Sequence, residues 1–154
     1  MLATREPKAK SAPPNGRIKI GAVAKHFGIS VDLLRLYERE GLVLPIKSPK
    51  GTRYFTEQDY PWIETVLRLV REARLNFAGI RHLLALLPCW ELRNCGHERR
   101  KNCSITKDPT APCWTNRACC TDSHECYTCP VYRAAPACEN LKALLAHNPF
   151  PVQS

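Results

Sequence analysis

Apolar residues fall at helical spacing from residue 20 onward. Ile20, Val23, Ala24 and Phe27 stand at i, i+3, i+4 and i+7, one face of an amphipathic helix. A second short helix follows over residues 31–41. Its Leu33, Leu34 and Leu36 pack inward, while Arg35, Tyr37 and Arg39 are expected to reach outward. Gly28-Ile29-Ser30 joins the two, the glycine supplying the turn and the serine the N-cap. Gly41 ends the second helix, because glycine accepts the left-handed conformation that a helix end favours. Two short helices across a three-residue glycine turn predict a helix-turn-helix, whose second helix commonly enters the major groove of DNA.

The pattern then changes. Residues 45–55 read as a short hairpin turning at Pro49, Lys50 and Gly51, a two-stranded wing. Thr56-Glu57-Gln58-Asp59 has the form of a capping box, with Pro61 in the first turn of the helix it opens. Ile63, Val66, Leu67 and Val70 carry one apolar face to about Arg74. Asn76 caps a shorter helix bearing Ile80, Leu83, Leu84 and Leu87, and Pro88 ends it. These two helices close the core of the winged domain. Arg68, Arg71, Arg74 and Arg81 fall on solvated faces. Beyond Pro88 no heptad run follows. A last helix is expected over residues 138–146, with Leu141, Leu144 and Leu145 as its stripe.

Charge sharpens this picture. The net charge is +9, and residues 1–88 hold 15 basic and 8 acidic side chains against 8 and 6 beyond. The excess lies on the half with the helix-turn-helix, as a polyanion-binding surface requires. Lys47, Lys50 and Arg53 are placed to meet the phosphate backbone, which fixes register while groove contacts set sequence preference. No apolar run approaches the ~20 residues of a membrane span. Residues 1–15 lack an apolar signal core, so a cytoplasmic, nucleoid-associated protein with a disordered basic arm at 1–17 is expected.

Residues 31–41, then Leu42-Val43-Leu44-Pro45 and Gly51-Thr52-Arg53-Tyr54-Phe55, resemble the MerR family of bacterial transcription regulators. Leu36 stands where most members carry a tyrosine, which is closer to the heat-shock repressor branch, as is Asn76-Phe77-Ala78-Gly79-Ile80-Arg81. The resemblance covers residues 18–88. It implies Arg35, Tyr37 and Arg53 as DNA contacts, with Lys25, Ser30, Lys47, Lys50 and Tyr54 beside them. For Tyr37 and Tyr54 the alternative is core packing, and for Arg35 an ion pair with Glu38. The resemblance also implies a homodimer on an inverted repeat in a promoter, and leaves RNA polymerase open as a second partner. The long dimerisation helix usual in the family has no counterpart after Pro88.

All nine cysteines, Cys89, Cys95, Cys103, Cys113, Cys119, Cys120, Cys126, Cys129 and Cys138, lie in the second half. In a reducing cytosol such a cluster points to metal or cofactor binding, and the odd count argues against full pairing. Cys89-Trp90-Glu91-Leu92-Arg93-Asn94-Cys95 and Cys113-Trp114-Thr115-Asn116-Arg117-Ala118-Cys119 are one motif twice, C-W-x-x-R-x-C. Arg93 and Arg117 are candidates for lowering thiol pKa values. Cys126-Tyr127-Thr128-Cys129-Pro130 brings two thiolates onto one ion, with the Cys-Pro ending of several iron–sulfur proteins. Tetrahedral zinc uses the same spacing, and thiolate ligands serve both. His97 and His124 stand near enough to replace a sulfur. An Fe–S cluster, of the 4Fe-4S kind, is favoured by the paired Trp90 and Trp114, by C-x-x-C-P and by the cluster carried in the redox-sensing branch of the family. Zinc and a thiol switch stay open.

The expected architecture is thus mainly α, a winged helix-turn-helix at 18–88, an irregular metal- or cluster-stapled module at 89–138, and a short helix and tail at 139–154. The expected function is sequence-specific transcription regulation, with the cysteines sensing redox state or metal. The alternatives are a structural zinc module for protein contact and a small Fe–S redox protein with a DNA anchor. No Ser/His/Asp or carboxylate constellation marks an enzyme.

Overall fold

A computed structural model of the chain describes residues 16–93, 95–108, 110–115 and 126–146. Most of the expected N-terminal arm, Arg117, Cys119, Cys120, His124 and the tail from 147 lie outside them.

Helix α1 (Ile20–Phe27) buries Val23 and Ala24 and ends at Gly28, whose φ of 64° is left-handed. Ser30 caps α2 (Val31–Arg39): its Oγ accepts from the Leu33 N–H at 3.1 Å. Gly41, at φ 75°, reverses the chain after α2, with its N–H on Glu38 O and the Leu42 N–H on Tyr37 O. Both glycines and the cap act as their sequence positions imply.

The wing is larger than its sequence pattern. Strands β2 (Ile46–Lys47) and β3 (Arg53–Phe55) form the expected hairpin, closed by Ser48, whose carbonyl accepts from Gly51 and whose N–H donates to Thr52 O. A third strand, β1 (Ile18–Lys19), adds to the free edge of β3, giving the antiparallel order β1-β3-β2. Ile18 pairs with Phe55, and Lys19 with Tyr54. The two residues before α1 are too few to show strand alternation, so the expected two-stranded wing is corrected to three strands.

The Thr56 N–H donates to Asp59 Oδ2 at 2.7 Å, completing the capping box ahead of α3 (Tyr60–Arg71). This helix stops before the expected Arg74, which itself takes a left-handed φ of 57°. That reversal leads to Asn76, whose Oδ1 caps α4 (Phe77–Ala85) through the Gly79 N–H at 2.7 Å.

Beyond Pro88 come short pieces: α5 (Cys89–Leu92), α6 (His97–Asn102), α7 (Pro130–Arg133), α8 (Leu141–Ala146) and intervening 3-10 turns. The last helix starts three residues later than its pattern, because Asn140 Oδ1 accepts from the Ala143 N–H. These pieces do not fold apart from the first half. Trp114, Val131, Tyr132 and Ala135 join Leu34, Phe55, Ile63, Val66 and Ile80 in one continuous buried core. Burial of this kind contributes about 25 cal/mol per Å² of apolar surface, so the cysteine-rich half helps stabilise the winged half. No helix among the described residues is long and apolar enough to cross a membrane.

Candidate nucleic-acid interface

The second helix decides what the wing and the first helix can present. Leu34 and Tyr37, three apart, share its inward face and are 0% and 1% exposed, with Leu33 and Leu36 half-buried at the margins. The expectation that Tyr37 reaches outward to DNA is therefore overturned. Its ring packs edge-on against Phe77, 5.8 Å between centroids, and burial raises the phenol pKa against the opposing charge of Arg71. The periodicity of the leucines misassigned it because tyrosine is amphipathic and fits either face.

Arg35 and Arg39 remain on the outer face. Arg35 pairs with Asp32 at 3.6 Å, and both side chains are largely in solvent. The Arg35–Glu38 pair, the alternative to a DNA contact, does not form, because Glu38 turns to the wing. Lys47 Nζ lies 2.8 Å from Glu38 Oε1, and Arg53 Nε bonds Glu38 Oε2. Lys47 and Arg53 are opposite one another across β2 and β3, so one carboxylate reaches both. Burial alone would raise the Glu38 pKa. The hydrogen bonds from Lys47 and Arg53, with their charges, outweigh it and hold the carboxyl below its usual value. Glu38 thus fastens the second helix to the wing and leaves a net positive charge between them. No helix spacing points to these two partners, which lie 9 and 15 residues away on another element.

Of the remaining expected contacts, Lys25 and Lys50 are exposed and Tyr54 is half-buried in the sheet. Ser30 is exposed, with its hydroxyl engaged as the cap. Arg81, expected on a solvated face, is only 28% exposed and reaches Glu40 Oε2 at 2.5 Å. Lys25, Arg35, Lys50, Arg53 and Lys47 therefore surround a helix-turn-helix whose second helix is braced against a three-stranded wing.

The family of MerR HTH regulatory proteins matches residues 18–87. Residues 18–87 are a MerR-family helix-turn-helix domain. An HTH-type transcriptional regulator, AdhR of Bacillus subtilis (strain 168), is 39% identical over 64 residues. That stretch is 41% of this chain and 45% of the relative, so the chain spans less than half of the relative's length. No solved structure matches the chain.

The MerR domain is bound on one side by the cysteine-rich half. Trp114 Nε1 donates to Gly41 O at 2.7 Å, and the Leu44 N–H donates to the Tyr132 hydroxyl at 2.9 Å. Arg133 Nη1 meets Asp59 Oδ1, the capping carboxylate of α3, at 2.7 Å. Arg68 of α3 bonds the Glu139 carboxylate through both terminal nitrogens. No sequence signal links these partners, which lie 71 to 88 residues apart.

The expected nine-cysteine ligand set is only partly brought together. Cys129 and Cys138 are buried in the common core, and Cys89, Cys95, Cys103, Cys113 and Cys126 are half-buried. Cys89 and Cys113 both line a cleft of about 260 Å³ that also takes in Trp90, Leu84 and Val131. Cys95 and Cys103 both lie near enough to Cys89 to add to the rise of its thiol pKa. Among the described residues, however, no three His, Cys, Asp or Glu side chains converge as metal ligands.

Burial, then the charges of Cys103 and Cys95, push the Cys89 thiol up to about 11. Burial, then Glu139, push Cys138 up to about 11 as well. Both stay neutral below the unfolded value of 9.0, and ionising them weakens the fold only as pH rises from there toward 11. In the reduced, metal-free chain both are expected to alkylate roughly a hundredfold more slowly than in urea-unfolded chain, since the thiolate is the nucleophile. Timed N-ethylmaleimide labelling read by peptide mass spectrometry measures this. Equal folded and unfolded rates would contradict the buried placement.

Proposed function

We propose that the chain is a sequence-specific, DNA-binding transcription regulator of the MerR type. The observation carrying this reading is the exposed cationic set around α2 and the wing of a MerR-family domain. In this reading α2 enters the major groove with Arg35 facing the base edges, and Lys25, Lys47, Lys50 and Arg53 meet flanking phosphates. Double-stranded promoter DNA with an inverted repeat is the target, bound by a homodimer. The similarity to a Bacillus HTH-type transcriptional regulator supports the same assignment.

The test begins with duplexes selected from a random-sequence library by the full chain. Arg35→Ala is expected to weaken binding to the selected duplex roughly tenfold and to relax base preference at one position per half-site. Lys50→Ala is expected to weaken all duplexes alike and to flatten the salt dependence by about one ion. Fluorescence anisotropy across a salt series separates the two. Failure to enrich any duplex would remove the reading.

The cysteine-rich half is proposed as the signal-receiving part, through redox state or a thiophilic metal, with an Fe–S cluster favoured over zinc. The cysteines confined to this half are the soft donors such a group requires. A bound cluster would supply reversible one-electron chemistry. A second reading, a purely structural zinc module, is favoured by the burial of Trp114, Val131 and Tyr132 in the common core. Absorption spectra with iron, sulfide and zinc analysis on anaerobically purified protein discriminate between them. Broad visible absorbance with matched iron and sulfide supports the sensor, and a colourless zinc protein supports the structural module.

A further inference from the structure

The chain between α2 and the wing is anchored from below. Leu42 and Val43 are fully buried, and Trp62 Nε1 donates to Leu42 O at 2.7 Å. Strand β3 is held on both edges, by β1 and by β2. The backbones of α2 and the wing therefore keep their places without help from surface side chains. One side chain nevertheless spans the gap between them. Glu38 is only 14% exposed, and its two carboxylate oxygens are divided between two strands. Oε1 takes Lys47 of β2, and Oε2 takes Arg53 of β3.

The two partners are held differently. Lys47 is 54% exposed and meets the carboxylate at the tip of a flexible chain. Arg53 is 31% exposed and is held through Nε. Among the described residues no hydrogen bond occupies its two terminal nitrogens. A guanidinium is planar and rigid, so a bond at Nε fixes where those nitrogens point. Charge is changed along with direction. Two cations against one carboxylate leave a single net positive charge on this part of the surface.

We infer that Glu38 is a positioning residue that sets specificity at the DNA interface: it aims Arg53 for one phosphate register and cancels a charge that would otherwise grip DNA in any register. The inference rests on the DNA-binding reading above. Phosphate contacts fix register, but unconstrained cations serve every duplex. A carboxylate set among them penalises phosphates presented elsewhere, which suppresses wrong sites more than the right one.

The experiment uses the full chain and Glu38→Gln, which keeps the side chain's length and an acceptor for Arg53 but removes the charge. Anisotropy is measured across a salt series on the library-selected duplex and on a scrambled duplex of equal length. Glu38→Gln is expected to bind the scrambled duplex about tenfold tighter at low salt, with a slope steeper by about one ion per subunit. On the selected duplex the gain is expected to be much smaller, so the preference narrows several-fold. A role confined to stability predicts instead that both duplexes weaken alike. Equal changes on the two duplexes, or an unaltered salt slope, overturn the inference. Adding Lys47→Gln restores the single net charge and is expected to return the slope to that of the wild type. A slope that stays steep overturns the charge account. Arg53→Lys keeps the charge and loses the Nε–H, so it is expected to weaken the selected duplex several-fold and leave the scrambled one unchanged. An unchanged preference in Arg53→Lys overturns the aiming role, and this variant decides the matter should Glu38→Gln fail to fold. The clamp itself is read without DNA, from solvent exchange of the Arg53 Nε–H by NMR. That exchange is expected to be slower than for the Arg35 Nε–H and to quicken in Glu38→Ala. Equal exchange at the two arginines overturns the clamp even where duplexes are bound. Should no duplex be enriched, the DNA-binding reading falls and takes the specificity role with it, whereas enrichment with an unchanged preference in Glu38→Gln removes the specificity role alone.

Discussion

Trp62→Ala is expected to destabilise the chain by about 4 kcal/mol, within the range for truncating a buried tryptophan. Trp62 is 2% exposed at the start of α3. Its removal leaves a cavity in the common core and an unpaired Leu42 carbonyl. Both losses fall at the junction of α2, the wing and α3, and domains of this size have only about 5–15 kcal/mol in all. Urea unfolding followed by circular dichroism measures the change. Trp62→Phe should recover most of the packing and leave mainly the hydrogen-bond term, about 1–2 kcal/mol. A cost under 1 kcal/mol for Trp62→Ala would show that the core does not depend on this contact.

Gly41→Ala is expected to cost about 2–3 kcal/mol, from two separable causes. The left-handed φ of 75° disfavours any side chain, by roughly 1–2 kcal/mol for alanine. An added Cβ would also stand 2.6 Å from Thr115 Cγ2, so the 113–115 turn must shift. That turn is pinned by the Thr115 hydroxyl on Pro112 O and carries Trp114. Paired with Thr115→Ser, which deletes the obstructing methyl, Gly41→Ala should regain the steric part and keep the backbone part. No recovery in the double variant would mean that the two segments do not approach this closely in solution.

Reading by pattern succeeded where the physics is local. Ser30, Asn76 and the Thr56–Asp59 box each act within three residues, and Gly28 and Gly41 act on their own dihedral angles. Such signals survive in any one-dimensional reading. Failure followed partner choice across elements. Glu38 had three nearby cations to select from, and the approach of the wing, not helix spacing, selected Lys47 and Arg53 over Arg35. Tyr37 had an apolar body and a polar tip, and only the arrival of Phe77 settled which face it served. Strand β1 owes its existence to the open edge of β3.

By itself, then, the sequence determined the two-helix unit, its turn, its caps, the hairpin and a surplus of positive charge on that half. Those depend on spacing, on backbone preference and on composition. Tertiary structure alone decided that the cysteine-rich half is packed into the MerR domain's core. It also decided that Trp114 and Tyr132 complete the loop after α2, since a hydrogen bond spanning 73 or 88 residues is specified by how whole faces meet and leaves no periodic trace in the chain.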